Sequence, residues 1–172
     1  MSEQKNELHL AILQLHSELA QRECASTSVL KACASIGKDL SESLAAGLLT
    51  LGGHHAPVDK AMQVWERRSE PLYLQTWNIV PGFGSSWYTG EPDPIFESLH
   101  THLSTETLMD LTDLTTTVQA QTGKKLYPNA ALYTAIAASI LGYDSKFASS
   151  LLVRGRIDQW CLLWHQNYRG LS

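Results

Sequence analysis

Apolar residues recur at three- and four-residue steps along most of the chain, and the expected elements follow from that period. Leu8, Ile12, Leu15 and Leu19 share one face, which predicts an amphipathic helix over roughly 6–22. Ser26 or Thr27 is placed to cap a second helix through about Ser35, with Gly37 ending it. Asp39 opens a third, "LSESLAAGLLTL", whose Ala45, Ala46 and Gly47 leave one face flat enough for close helix–helix contact. A fourth is expected from Ala56 through "VDKAMQVWERR", with Pro57 tolerated in its first turn.

Beyond the fourth helix the period breaks at "VPGFGSSWYTGEPDP" (residues 80–94) and resumes in a short helix from Pro94 to about His102. Ser104 starts "TETLMDLTDLTTTVQAQ", which Gly123 stops; its threonines weaken helix propensity, so packing has to hold it. Asn129 is placed to cap "NAALYTAIAASIL", which ends at Gly142. Asp144 or Ser145 caps the last helix, with Phe147, Leu151, Ile157, Trp160, Cys161 and Trp164 as its apolar face. No stretch alternates apolar and polar residues over a useful length, so the expected class is all-α.

Composition narrows the function. The 172 residues suffice to bury a core, and a hydrophobic share of 44% against 17% charged excludes a disordered chain. A net charge of −4 argues against a nucleic-acid binder or a polybasic membrane anchor. There is no apolar run of spanning length and no signal-peptide core in "MSEQKNELHL", so no membrane association is expected. Cys24, Cys33 and Cys161 form an odd, widely spaced set, which points to a reduced, cytoplasmic protein.

Three helix-to-helix junctions carry the candidate chemistry, because orphan amides and side chains converge at such places. They are "LGGHHAPVDKAM", "VPGFGSSWYTGEPDP" and "LYPNAALYTA". On the residues alone, His54 and His55 read as a helix-start pair, one buried and one exposed. His100 and His102 lack partners at the spacing of a metal site, so no metal is expected. Gly82 and Gly84 do not make a dinucleotide fingerprint, since no strand precedes them. Arg156 reads as a surface partner of Asp158 or of an upstream acid.

Together with "GRIDQWCLLW", these junctions resemble, in order and at plausible separations, the motifs of the citrate synthase family, which includes methylcitrate synthases and citryl-CoA lyase domains. The resemblance covers roughly residues 25–168. It implies an all-α, citrate synthase-like small domain plus a few large-domain helices, as one truncated domain over 1–172. It places His55 where the family polarises an acyl thioester carbonyl. Ser85 stands where the family's second histidine should be, Ser86 replaces the next arginine, and Ala131 stands in place of the aspartate base. Ile95 replaces a carboxylate-clamping arginine.

The same resemblance assigns Val80, Pro81, Gly82, Phe83 and Gly84 to the CoA-adenine loop, with Lys124, Lys125 and Asn129 beside it. Arg156 matches an arginine that holds a substrate carboxylate, and Trp160 and Trp164 match the tryptophans that follow it. The reading that follows is a degenerate citrate synthase-like protein that binds CoA, acyl-CoA or a protein partner and does not condense acetyl-CoA with a keto acid. The alternatives are an altered acyl-CoA enzyme using His55, of citryl-CoA-lyase or thioester type, and a structural or oligomerisation module. The resemblance further implies a homodimer paired through Ser26 to Leu51, and a protein partner over the surface that a larger domain would cover.

Overall fold

The structure, a computed structural model, describes residues 3–51 and 57–169. His54, His55 and the expected helix start at Ala56 lie outside the described residues. Every regular element among the described residues is helical, in line with the all-α expectation, and the single β-type feature is an isolated antiparallel bridge between Phe83 and Pro128. None of these helices is long and apolar enough to cross a membrane.

The helices are α1 (Glu3–Leu19), α2 (Ala25–Ser35), α3 (Leu40–Leu49), α4 (Val58–Glu66), α5 (Pro71–Leu74), α6 (Glu97–His100), α7 (Thr105–Thr122), α8 (Ala130–Leu141) and α9 (Ser145–Asn167). A 3-10 turn, Pro94–Phe96, leads into α6 and splits the single short helix expected there. The chain divides into two compact units, the first of residues 1–12 and 57–149, the second of 13–56 and 150–172.

In the first unit α4 packs against α8. Helix α8 is buried all round, from Ala131 through Ala138, so it runs through the core and is not amphipathic. Helix α7 buries Leu111, Leu114 and Val118. Its weak propensity has a visible origin: Thr112, Thr115, Thr116, Thr117 and Thr122 each donate to the carbonyl four residues back. Ser104 caps α7 by accepting from Thr107 N at 3.1 Å, and Asn129 caps α8 by accepting from Ala131 N at 3.0 Å.

In the second unit α2 packs against α3, and Ala20, Leu30, Trp160 and Leu163 form a buried cluster flanked by Leu44, Leu48, Leu51 and Trp164. Asp39 and Glu42 form a capping box at α3. Three expectations are corrected here. The N-cap of α2 is Cys24, while Ser26 and Thr27 are buried in the first turn with their hydroxyls engaged elsewhere. Of Ala45, Ala46 and Gly47 on α3, Gly47 alone is buried, against the Ser26 carbonyl and Trp160, whereas Ala45 is exposed. Helix α9 buries Leu151, Leu152, Arg156 and Trp160, a face rotated from the expected one, with Phe147 42% exposed.

Candidate functional site

The loop of residues 80–84 is locked to the segment 127–129. Val80 O accepts from Phe83 N at 3.2 Å and closes the turn. Gly84 N then donates to Tyr127 O at 2.9 Å, and Asn129 N donates to Gly82 O at 2.9 Å. Asn129 also donates its Nδ2 to Gly84 O at 2.9 Å while capping α8. One side chain thus joins the turn to the helix start, and each of these bonds contributes about 1 kcal/mol. Val80, Pro81, Gly82 and Phe83 are buried beneath the turn.

Gly82 is required on two counts. Its φ is +89°, and a Cβ there would lie 2.8 Å from Leu132 Cβ and 3.3 Å from Ala61 Cβ. The turn is therefore pressed onto the α4–α8 contact, and only a residue without a side chain lets it sit there. Two stretches 45 residues apart, "PGFG" and "LYPN", are in this way built into one junction.

At the positions expected to carry chemistry, the side chains are quiet. Ser85 Oγ accepts from Trp87 N at 3.1 Å and Tyr88 N at 3.3 Å, so its oxygen serves the local turn. Ala131 is buried in the first turn of α8 and offers no proton acceptor. Lys124 and Lys125 are exposed ahead of the junction. Asp93 is buried and caps the turn ahead of α6 by accepting from Ile95 N at 3.1 Å.

Beside the junction lies a cavity of about 400 Å³ lined by Asp93, Phe96, His100, Tyr127 and Tyr133. His100 Nε2 and Tyr133 Oη are 2.9 Å apart, and Tyr133 stacks on Phe96. Burial first, and the charge of Asp93 second, push the Tyr133 phenol up to about 12, so it remains neutral. His100 is thus part of an aromatic packing cluster. Among the described residues no group of His, Cys, Asp or Glu could hold a metal ion.

The second unit holds Arg156. It is 5% exposed, and its Nη1 donates to Ser26 Oγ at 3.3 Å and lies 3.9 Å from Cys24 Sγ. Its Nε has no hydrogen-bond partner, and no carboxylate among the described residues pairs with it. Asp158 is exposed, so the surface-pair reading of Arg156 is corrected. Burial draws the guanidinium below its usual value, offset in part by Cys24, yet an arginine in a protein keeps its charge.

Sequence reasoning missed His16. It is fully buried, and burial with the nearby Arg156 charge lowers it to about 3, so the imidazole is neutral. The available signal was its position four residues beyond Ile12 and next to Leu15, on the buried face of α1. The structure thus seats residues 80–84 with Asn129 and Ala131 in the first unit, and Arg156 with Ser26 and His16 in the second.

The chain matches the family described as "Citrate synthase, C-terminal domain" over residues 1–170. No curated protein matches it by sequence. Among solved structures it is similar to citryl-CoA lyase from Hydrogenobacter thermophilus, with a TM-score of 0.80 and 23% identity, covering 97% of this chain and 70% of the lyase. It is similar to citrate synthase from Thermoplasma acidophilum in ternary complex with carboxymethyl coenzyme A and oxaloacetate, with a TM-score of 0.70 and 20% identity, over 96% of this chain and 48% of the synthase. A third similarity is to Methanosaeta concilii ATP citrate lyase in complex with (3S)-citryl-CoA, with a TM-score of 0.76 and 21% identity, over 96% of this chain and 32% of that one.

Proposed function

We propose, proceeding from the premise that the chain belongs to the citrate synthase family, that it binds CoA or an acyl-CoA without condensing the acyl group with a keto acid. The observation that carries this reading is the junction of residues 80–84 with Asn129. Its backbone is fixed by hydrogen bonds from both segments, while Ala131 and Ser85 beside it supply neither a base nor a titratable donor. A general base alone is typically worth about two to four orders of magnitude in rate. Binding without that base is the function such a site supports.

Val80 to Gly84 would accommodate the adenine, with Lys124 or Lys125 toward the phosphates and Asn129 holding the turn. Arg156 would hold a carboxylate, since a buried guanidinium without a carboxylate is poised for an anion. His55 would meet the thioester carbonyl. The odd, widely spaced set of Cys24, Cys33 and Cys161 fits a reducing, cytoplasmic setting.

Calorimetric titration with CoA and acetyl-CoA tests the reading. Both are expected to bind, with no turnover when oxaloacetate is added. Asn129→Ala, which unlocks the turn, should weaken both by about tenfold, the equivalent of one hydrogen bond to the turn. His55→Ala should weaken acetyl-CoA more than CoA, because only the thioester presents a carbonyl. Turnover would favour an altered enzyme, and absence of any binding would leave a structural module.

The same reading includes a homodimer through the region Ser26 to Leu51. In support, Leu49 is 86% exposed and Ile36 68% exposed, both in that stretch. Sedimentation at micromolar concentration should give twice the chain mass, and Leu49→Arg should return the monomer. A wild-type monomer would remove the dimer and leave these residues to a different protein partner.

A further inference from the structure

We infer that Cys24 is a nucleophilic thiol that undergoes exchange with small disulfides, its thiolate held by Arg156 and Ser26 at the start of α2. It shares Arg156 with the carboxylate position proposed above, so a bound carboxylate and the thiolate would compete for one guanidinium. Cys24 occupies the N-cap of an 11-residue helix, and its side chain makes no capping bond to the first-turn amides. The sulfur belongs to the N-cap residue, is half-buried and carries no disulfide.

Arg156 is the second, independent observation. It is 5% exposed, has no carboxylate partner among the described residues, and directs Nη1 to within 3.9 Å of Sγ, while its Nε is unsatisfied. A buried cation needs a negative group, and the Cys24 thiolate is the one the structure sets against it. Ser26 completes the arrangement. Its Oγ accepts from Arg156 at 3.3 Å, which leaves its own proton to donate to Sγ at 3.2 Å.

The neutral thiol is seated as well. Thr27 Oγ1 donates to Ala20 O at 3.2 Å and so accepts from the Cys24 thiol at 3.4 Å. Loss of that proton exchanges the weak bond to Thr27 for the stronger ones from Ser26 and Arg156. Cys33 and Cys161 are half-buried too, but neither stands at a helix N-cap or receives a hydrogen bond from an arginine among the described residues.

In the exchange, the Cys24 thiolate attacks one sulfur of the disulfide RSSR. The S–S bond breaks as the new one forms, and RS⁻ leaves to take a proton from water. The disulfide is itself the oxidant. The product is a mixed disulfide on Cys24 lying against Arg156.

The test is incubation of the protein with oxidised glutathione at pH 7, followed by mass spectrometry of the three cysteine peptides over time. Cys24 should react about tenfold faster than Cys33 and Cys161. Arg156→Met should slow Cys24 about tenfold and leave the other two unchanged. Ser26→Ala, which removes only the hydroxyl donor, should slow it several-fold and decides the matter if Arg156→Met does not fold. A Cys24 no faster than its two neighbours overturns the inference, as does a rate untouched by every folded variant.

Discussion

Gly155→Ala lowers the free energy of unfolding by about 2 kcal/mol, set by overpacking less the helix-propensity gain. Gly155 lies in α9, where alanine would by itself favour the helix by about 1 kcal/mol. At this position, though, a Cβ would stand 2.5 Å from Leu13 O and 2.6 Å from His16 Cβ, with Leu13 Cα at 3.2 Å. The nearest atom is a backbone carbonyl of α1, so no rotamer change relieves the overlap. The two helices have to separate, which costs about 1–3 kcal/mol in a packed core and at least the upper part of that range here.

Urea unfolding reads the difference, with Ser149→Ala on the exposed side of α9 as the control, expected within about 0.5 kcal/mol of wild type. An alanine at 155 that stabilises the protein would mean that α1 and α9 do not approach as described. The same substitution should also disturb His16, whose Cβ is one of the two closest atoms.

His16 makes the second large effect, a loss of stability with acid. Folding holds this imidazole at about 3 against an ordinary value of 6.5, by burial first and the Arg156 charge second. Between those limits the unfolded chain binds a proton that the folded chain refuses. Stability contributed by neutral His16 is thus fully present above pH 6.5 and is lost as the pH falls toward 3. The slope approaches about 1.4 kcal/mol per pH unit, for a total near ~5 kcal/mol.

His16→Gln cannot titrate, so its unfolding free energy should change far less over the same range. The difference between the two curves isolates His16 from Glu23, Asp39 and Glu70. These carboxyls are held below their usual values by Lys31, the Glu42 amide and Arg67 respectively, and they also lose stability on acidification. Parallel curves for wild type and His16→Gln would mean that the histidine titrates normally and is open to water.

Much of the fold was legible in the sequence, because its signals are local. A three- and four-residue apolar period and helix starts at Asp39, Ser104 and Asn129 each act within a few residues. They fixed the all-α class and most helix starts. The errors fell where a contact distant in sequence overrides a local preference. Ser26 and Thr27 are good caps, yet Arg156 and Trp160, 130 and 133 residues on, take their hydroxyls and leave Cys24 at the N-cap. Ala45 was expected to share the tight contact on α3, but packing selects Gly47 because the Ser26 carbonyl lies against it.

The candidate site divides in the same way. Sequence alone placed Gly82, Asn129, Ser85, Ala131 and Arg156 at motif positions, since residue type and order are what a motif is. It could not show that Asn129 ties the turn at Gly84 to the start of α8, that Ser85 spends its oxygen on the turn, or that Arg156 is buried beside His16 and Cys24. Hydrogen bonds and desolvation depend on distances between residues far apart along the chain. Only the tertiary structure sets those distances.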